Sequence, residues 1–384
     1  MKQLTKFETL RRLFYKLCTL LLPLNKYKVF FLSDIRESIG GNYLPLLPLL
    51  KAKGFIVKTD FKASKKTHEK RFNRLARAYH LATSGFIVLE DVHDDIIWIK
   101  LRRHQELIQL WHGAGAFKRF GYARSEIDEA LAINPGYAKT TAAIVSSEMI
   151  RKDYANAFKI DISRVHATGI PRTDVFFDPD YIRGIREKYD TKYPALKGKK
   201  ILLFCPTYRG RRISRAKYDS SQFDPERIYN VIGNEFIIAF KWHPAQLEVM
   251  KKKGKYLYTE DQYADYTIDL SEERDINDLL MISEFIITDY SSIIFEYELL
   301  NKPIVYYWYD LDYYKESERG FFYDLEEYLY GPVAHSFEEL LEICHNINDC
   351  TYDNDRQRFR LKFMDACDGR SSERVVNTLF QVKK

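Results

Sequence analysis

Short apolar runs, each long enough for one buried strand, alternate along this chain with segments patterned at helical spacing. In the first half the runs are 28–33, 55–60, 86–90, 107–111, 142–147 and 165–168, separated by segments such as 43–53, 69–81 and 148–157. In the second half 201–205, 236–240, 285–288 and 304–308 alternate with 276–282, 291–300 and 337–347. Strands apolar at every residue are covered on both faces, so the rhythm predicts α/β architecture: parallel sheets flanked by helices. A length of 384 residues suits about two such domains. The polar stretch 178–200, carrying Pro179 and Pro194, reads as a linker. The expected organisation is a terminal segment 1–27, a doubly wound Rossmann-like domain 28–195, a second 196–354, and C-terminal helices 355–384 packing back on the first domain. Two such domains facing a central cleft bind ligands at the C-terminal ends of their strands.

Composition narrows the classes. With 46% hydrophobic and 15% aromatic residues the chain is not disordered. Five cysteines (Cys18, Cys205, Cys344, Cys350 and Cys367), odd in number and without a CxxC pair, indicate neither a disulfide framework nor a zinc site. They fit reduced thiols. A net charge of +6 is too mild to mark a nucleic-acid binder, and no nucleic-acid partner is expected. The charge is unevenly placed, however: Lys62, Lys65, Lys66, Lys70, Arg71, Arg74 and Arg77 form a basic run suited to an anionic surface. The apolar stretch 17–24 is far shorter than the ~20 residues of a membrane span, and no small-residue cleavage site follows it. At helical spacing Leu4, Phe7, Leu10, Phe14, Leu17 and Leu21 share a face, while Lys6, Arg11, Arg12 and Lys16 project elsewhere. The pattern predicts an N-terminal amphipathic helix lying on an anionic membrane surface.

Four places where chemistry could sit each follow a predicted strand. His112 ends one strand and is followed by Gly113, Ala114 and Gly115, small residues that let a backbone approach a ligand; its pKa suits proton transfer near neutrality. After 201–205, Pro206 ends the strand and Thr207 and Arg209 offer a hydroxyl and a guanidinium, a phosphate-binding pair, with Arg211 and Arg212 extending the positive loop. His243, followed by Pro244, repeats the strand-then-histidine arrangement in the second half. Asp289 precedes Ser291 and Ser292, which open the segment 291–300; amides at such a helix start bind phosphate, and Glu296 lies one turn further in, within reach of a ribose hydroxyl. Asp310-Leu311-Asp312 has the spacing of a short metal-binding motif but, between Tyr309 and Tyr313, reads better as a loop contact. No obligatory metal and no cofactor are expected.

The ordered series WHGAGAFKRFG, GIPRTD, PTYRG, KWHP, DINDLL, ITDYSSIIFEYELLNKPIVYY and ERGFFYD resembles the CDP-glycerol glycerophosphotransferase family of teichoic acid synthesis. The resemblance covers roughly 28–325. It implies a GT-B fold, a peripheral position on the cytoplasmic face of the plasma membrane, and transfer of glycerol phosphate from CDP-glycerol to a polyprenyl-diphosphate-linked saccharide or polymer, with release of CMP. It makes His112 and His243 catalytic, and assigns CDP binding to Thr207, Arg209, His243, Asp289, Ser291, Ser292 and Glu296. Gly113, Lys118, Arg172, Asp174 and Arg319 are expected as acceptor-side or secondary contacts. The WHG motif continues Ala-Gly-Ala-Phe-Lys-Arg rather than Thr-Pro-Leu-Lys, closer to members that prime or extend with glycerol or ribitol phosphate. CDP-ribitol is therefore an alternative donor, and a capsule polymer an alternative product. Rival classes are a nucleotide-sugar GT-B glycosyltransferase and an inactive membrane-bound interaction protein.

Overall fold

The computed structural model of the chain describes residues 5–62, 71–125, 131–210, 216–258, 261–317, 320–324, 326–347 and 352–382. Two compact units result: Met1–Asp174 together with Lys362–Lys384, and Val175–Leu361. The first holds β1 (Asn25–Ser33), β2 (Ile56–Phe61), β3 (Ser84–Leu89), β4 (Glu106–Gln109), β5 (Ala142–Ile144) and β6 (Val165–His166), in the order β2-β1-β3-β4-β5-β6. The second holds β7 (Lys200–Cys205), β8 (Phe236–Phe240), β9 (Thr267–Asp269), β10 (Phe285–Thr288), β11 (Ile304–Tyr307) and β12 (Val333–Ala334), in the order β12-β11-β10-β7-β8-β9. Every pairing within the two sheets is parallel. β3, β8, β10 and β11 are buried at every residue, whereas the edge strand β2 is half-exposed. Strand order reverses between β1 and β3 in one sheet and between β7 and β10 in the other. Such switch points open a crevice beyond the strand ends; Thr207, Arg209, Asp289, Ser291 and Ser292 lie on the loops leaving β7 and β10, while His112 and His243 follow the neighbouring strands β4 and β8.

The stretch 178–200 is not a linker. Asp178 caps a helix, Pro179–Lys192, that starts with proline and belongs to the second unit. Its polar residues are the solvated face; Ile185 and Tyr189, four apart, are buried, and Lys188 pairs with Asp278 at 3.0 Å. The first unit thus ends at Asp174 rather than 195. Its C-terminal piece is held by Ser146, whose Oγ donates to the Phe363 carbonyl at 2.6 Å, and by Phe380, 5.1 Å from the Phe86 ring.

The N-terminal helix Lys6–Leu21 starts with a Thr5–Glu8 capping box. The residues it buries against the unit are Arg11, Tyr15 and Cys18, not the leucine face. Arg11 pairs with Asp95 at 2.7 Å, and Tyr15 donates to the Lys100 carbonyl at 2.7 Å. Leu10, Leu13, Leu17, Leu20 and Leu21 stay exposed, and Leu4 lies outside the described residues. The basic run also divides. Residues 63–70 lie outside the described residues, while Arg77 is buried between Asp60 (2.9 Å) and Asp95 (3.4 Å), and Arg74 faces Glu8. Arg11 and Arg77 therefore neutralise buried carboxylates and are not surface cations.

Candidate active site

In the first unit, β4 ends at a turn in which Trp111 adopts φ +57°, a left-handed conformation unusual for a bulky residue. The buried Gln109 side chain accepts from the Trp111 N–H at 3.1 Å and holds the turn. His112 follows, its Nδ1 3.1 Å from the Glu90 carbonyl oxygen. A carbonyl can only accept, so in the neutral ring Nδ1 carries the proton and Nε2 presents a lone pair. His112 itself is exposed to solvent. The protein packed about the ring disfavours the imidazolium and lowers the pKa from the ordinary histidine value, against the opposing influence of Asp91 and Glu90. A buffered lone pair at Nε2 is what a general base requires.

Of the expected secondary residues, Arg172 bonds to the histidine's own backbone: its Nη1 donates to the His112 carbonyl at 2.8 Å. Gly113 is half-buried with an ordinary φ, and a Cβ built on it would come no closer than 3.7 Å to Trp111, so neither backbone conformation nor packing demands glycine there. Lys118 is half-buried. Asp174 is spent elsewhere: its carboxylate oxygens accept the Ser371 and Ser372 N–H groups, each at 2.8 Å, and so anchor the Ser371–Leu379 helix start. Both oxygens thus serve as a structural cap. Arg319, like Arg211 and Arg212, lies outside the described residues.

In the second unit the β7–β10 switch point is built on a buried ion cluster. Asp289 accepts the Thr207 N–H (2.8 Å) and Tyr290 N–H (2.7 Å) on one oxygen and Arg209 Nη1 (2.9 Å) on the other. Arg209 makes a two-pronged contact with Asp310, Nε at 2.5 Å and Nη2 at 2.8 Å, and its Nη1 also reaches the Thr207 carbonyl at 2.9 Å. Burial opposes the charge on this guanidinium, but Asp289 and Asp310 overcome that and hold its pKa raised. Rings of Tyr290, Tyr309 and Tyr314 surround it at 5.2–5.5 Å. The sequence reading gave Arg209 and Asp289 direct contacts with the donor. Here each satisfies the other, and together they tie the loops after β7 and β10 and the Asp310 turn into one body. Asp310 is spent on Arg209 and Tyr290. Among the described residues no group of three or more His, Cys, Asp or Glu is placed to hold a metal ion.

Around this cluster lie the remaining candidate groups. Ser292 is exposed and makes no side-chain capping bond to the helix Ile293–Glu298, while Ser291 Oγ accepts weakly from the Ile293 N–H at 3.4 Å. Glu296 is buried in that helix. An open pocket of about 390 Å³ is lined by Arg209, Lys217, Tyr218, Asp219, Tyr309, Asp310 and Tyr313. His243 is exposed beside Tyr208, ring centroids 4.8 Å apart, and caps the helix Pro244–Lys253. Its Nδ1 accepts the Ala245 N–H at 3.1 Å. A backbone N–H can only donate, so Nδ1 is bare and the neutral ring presents Nε2–H outward. The two histidines therefore hold opposite tautomers: His112 offers an acceptor, His243 a donor.

Residues 14–381 match the family described as CDP-glycerol:poly(glycerophosphate) glycerophosphotransferase. The chain is 38% identical over 363 residues to a teichoic acid poly(ribitol-phosphate) polymerase of Bacillus spizizenii, covering 94% of this chain and 57% of the polymerase. It spans 62% of the Staphylococcus aureus ribitol-phosphate polymerase TarL, at 35% identity. A teichoic acid ribitol-phosphate primase of B. spizizenii is 31% identical over 376 residues, covering 94% of this chain and 93% of the primase. The chain thus spans about three-fifths of these polymerases and nearly all of the primase. Relatives named for glycerol phosphate from the same two organisms are 28% identical over 74% of the chain. Among solved structures, the wall teichoic acid polymerase TagF superposes with a TM-score of 0.77 at 19% identity, covering 96% of this chain and 93% of that one, a likeness of fold. A match over nearly the whole length of a chain that folds as two parallel six-stranded sheets leaves one conclusion: the chain belongs to the CDP-glycerol:poly(glycerophosphate) glycerophosphotransferase family.

Proposed function

We propose that this chain transfers an alditol phosphate from a CDP-alditol to a hydroxyl of a lipid-linked wall-polymer acceptor and releases CMP. The observation that carries this reading is the pair of opposite histidine tautomers. His112 Nε2 takes the acceptor hydroxyl proton as that oxygen attacks the phosphorus bearing the alditol. The bond from this phosphorus to the CMP oxygen breaks, and the electron pair leaves with CMP. His243 Nε2–H donates to the phosphate oxygens where negative charge gathers. Ser291 and Ser292 hydroxyls and the pocket beside Arg209 receive the donor. Gly113, which the fold does not require to be glycine, keeps the approach to His112 clear.

Ribitol is favoured as the alditol over the glycerol of the family's description, because the relatives at 31–38% identity carry ribitol phosphate in their names. Purified protein given CDP-ribitol or CDP-glycerol, with a polyprenyl-diphosphate-linked saccharide primed with glycerol phosphate, is expected to release CMP faster from CDP-ribitol. Faster release from CDP-glycerol reverses the donor assignment. Release of a nucleoside diphosphate from a nucleotide sugar, with no CMP from either donor, rejects the reaction class.

We further propose that the N-terminal helix binds the cytoplasmic membrane surface, a reading its exposed leucines support. No helix among the described residues is long and apolar enough to cross a membrane. Leu10, Leu13, Leu17, Leu20 and Leu21, 45–80% exposed, can instead insert at the headgroup boundary. Burying one leucine contributes roughly 1.5–3 kcal/mol, so Leu17→Glu with Leu20→Glu is expected to cut sedimentation with anionic vesicles at least tenfold while leaving circular dichroism unchanged. Equal sedimentation of variant and wild type removes this surface from the binding site.

A further inference from the structure

Asn42 lies where the loop after β1 enters the first helix beyond it, at the β1–β3 switch point, and is fully buried. Each of its polar groups is engaged. The backbone N–H donates to Glu90 Oε1 at 2.6 Å, Nδ2 donates to the Trp111 carbonyl at 2.9 Å, and Oδ1 accepts the Arg172 N–H at 3.1 Å. Arg172 in turn reaches the His112 carbonyl, and the Glu90 carbonyl receives His112 Nδ1–H. Two closed circuits therefore pass through Asn42. One runs Asn42–Trp111–His112–Arg172 and holds the peptide groups on both sides of the histidine. The other runs Asn42–Glu90–His112 and holds its ring.

The surroundings are built for this. Glu90 is buried and paired with Arg36, which fixes the carboxylate that receives the Asn42 N–H. That pair fills the space over Gly41, at φ +53°; a Cβ there would lie 1.9 Å from Arg36 Nη2 and 2.7 Å from Glu90 Oε1. The neighbouring Gly41-Asn42 sequence is thus explained by two demands, room for the ion pair and a buried side-chain amide. An amide is needed because the Trp111 carbonyl requires a donor and the Arg172 N–H an acceptor within one short side chain. Trp111, held left-handed at φ +57°, is the residue this clamp keeps in place.

We infer that Asn42 is a positioning residue for His112, fixing both the direction of Nε2 and the tautomer that leaves it unprotonated. This rests on His112 being the base. The charged groups facing the histidine are Glu90, Asp91 and Arg172, with Arg36 behind Glu90.

Asn42→Asp separates positioning from packing, because it is isosteric and its ionised form cannot donate to the Trp111 carbonyl. The full chain carrying it is expected to lose about 10–100-fold in kcat, the cost of a misplaced catalytic group, with the donor KM unchanged. Its kcat relative to wild type should recover as pH falls, since the protonated carboxyl restores the missing donor. Nitrogen-15 shifts of the His112 ring should show Nδ1–H in the wild type and a mixture of tautomers in Asn42→Asp at pH 8. Asn42→Ala, which removes both side-chain bonds, should lose kcat at every pH if it folds; Asn42→Asp decides the matter if it does not. A folded Asn42→Asp protein with kcat within twofold of wild type, or with a ratio to wild type that is flat in pH, overturns the proposal. His112→Ala measured alongside keeps the two readings apart. If it loses turnover while Asn42→Asp does not, positioning by Asn42 fails and the base assignment stands; if it keeps turnover, the base assignment itself fails.

Discussion

His112→Ala should fold, bind CDP as tightly as wild type, and turn over ~10²–10⁴-fold more slowly, the usual contribution of a positioned general base. The physical reason is that Nε2 is the free position on a ring whose other nitrogen is committed to the Glu90 carbonyl. The same arrangement sets the pH dependence. Burial holds His112 below the ordinary histidine value, so the neutral, base-competent form persists as pH falls through 6.5, the ordinary value. The acid-side midpoint of wild-type kcat should therefore lie below pH 6.5. CMP release measured across pH, with CDP affinity by calorimetry, tests both statements. Near wild-type turnover by a folded His112→Ala protein would falsify the base assignment, and an acid-side midpoint above pH 6.5 would show that the ring is not held neutral.

Arg209→Ala is the change expected to cost the second unit most. Removing the guanidinium leaves Asp289 and Asp310 facing one another with no cation between them, and breaking a buried ion pair on one side typically costs about 3–5 kcal/mol. The Thr207 loop, tied to Asp289 through its N–H, should loosen with it, and CDP affinity should fall although Arg209 need not touch the nucleotide. Urea unfolding followed by circular dichroism measures the loss. Combining Arg209→Met with Asp289→Asn and Asp310→Asn removes all three charges and should recover much of the stability without restoring CDP binding. An Arg209→Ala protein with unchanged stability and weakened CDP binding would instead return Arg209 to direct phosphate contact.

The central strands and the strand-end histidines were legible because their signals are local. A run such as 236–240 is apolar at each residue and bounded by polar or turn residues, which identifies a doubly covered strand whatever surrounds it. β9 and β12 were missed: each is two or three residues at a sheet edge, with too little burial to leave a pattern. The His243 tautomer was readable in principle, since a histidine before a proline that opens a helix sits where an N-cap belongs, and its partner Ala245 is two residues away. The His112 tautomer was not, because its partner is a backbone carbonyl 22 residues distant on another loop.

Charge was the least legible feature. Arg11, Arg77 and Arg209 each read as a cation for a membrane or a phosphate, and each is buried against carboxylates: Arg11 on Asp95, 84 residues away, and Arg209 on Asp289 and Asp310, 80 and 101 residues away. The N-terminal helix shows the same limit, for its periodicity defines two faces but does not say that the face with Arg11, Tyr15 and Cys18 goes inward and the leucines stay out. What the sequence determined by itself is whatever depends on neighbours within a few residues: strand or helix, the order of strands and helices, and which residue types stand at strand ends. Tertiary structure alone decided which amphipathic face is buried, which charges are neutralised, and which histidine nitrogen is free. These depend on pairs brought together from distant parts of the chain, and a buried charge or ring is stable only beside the partner that the fold happens to deliver.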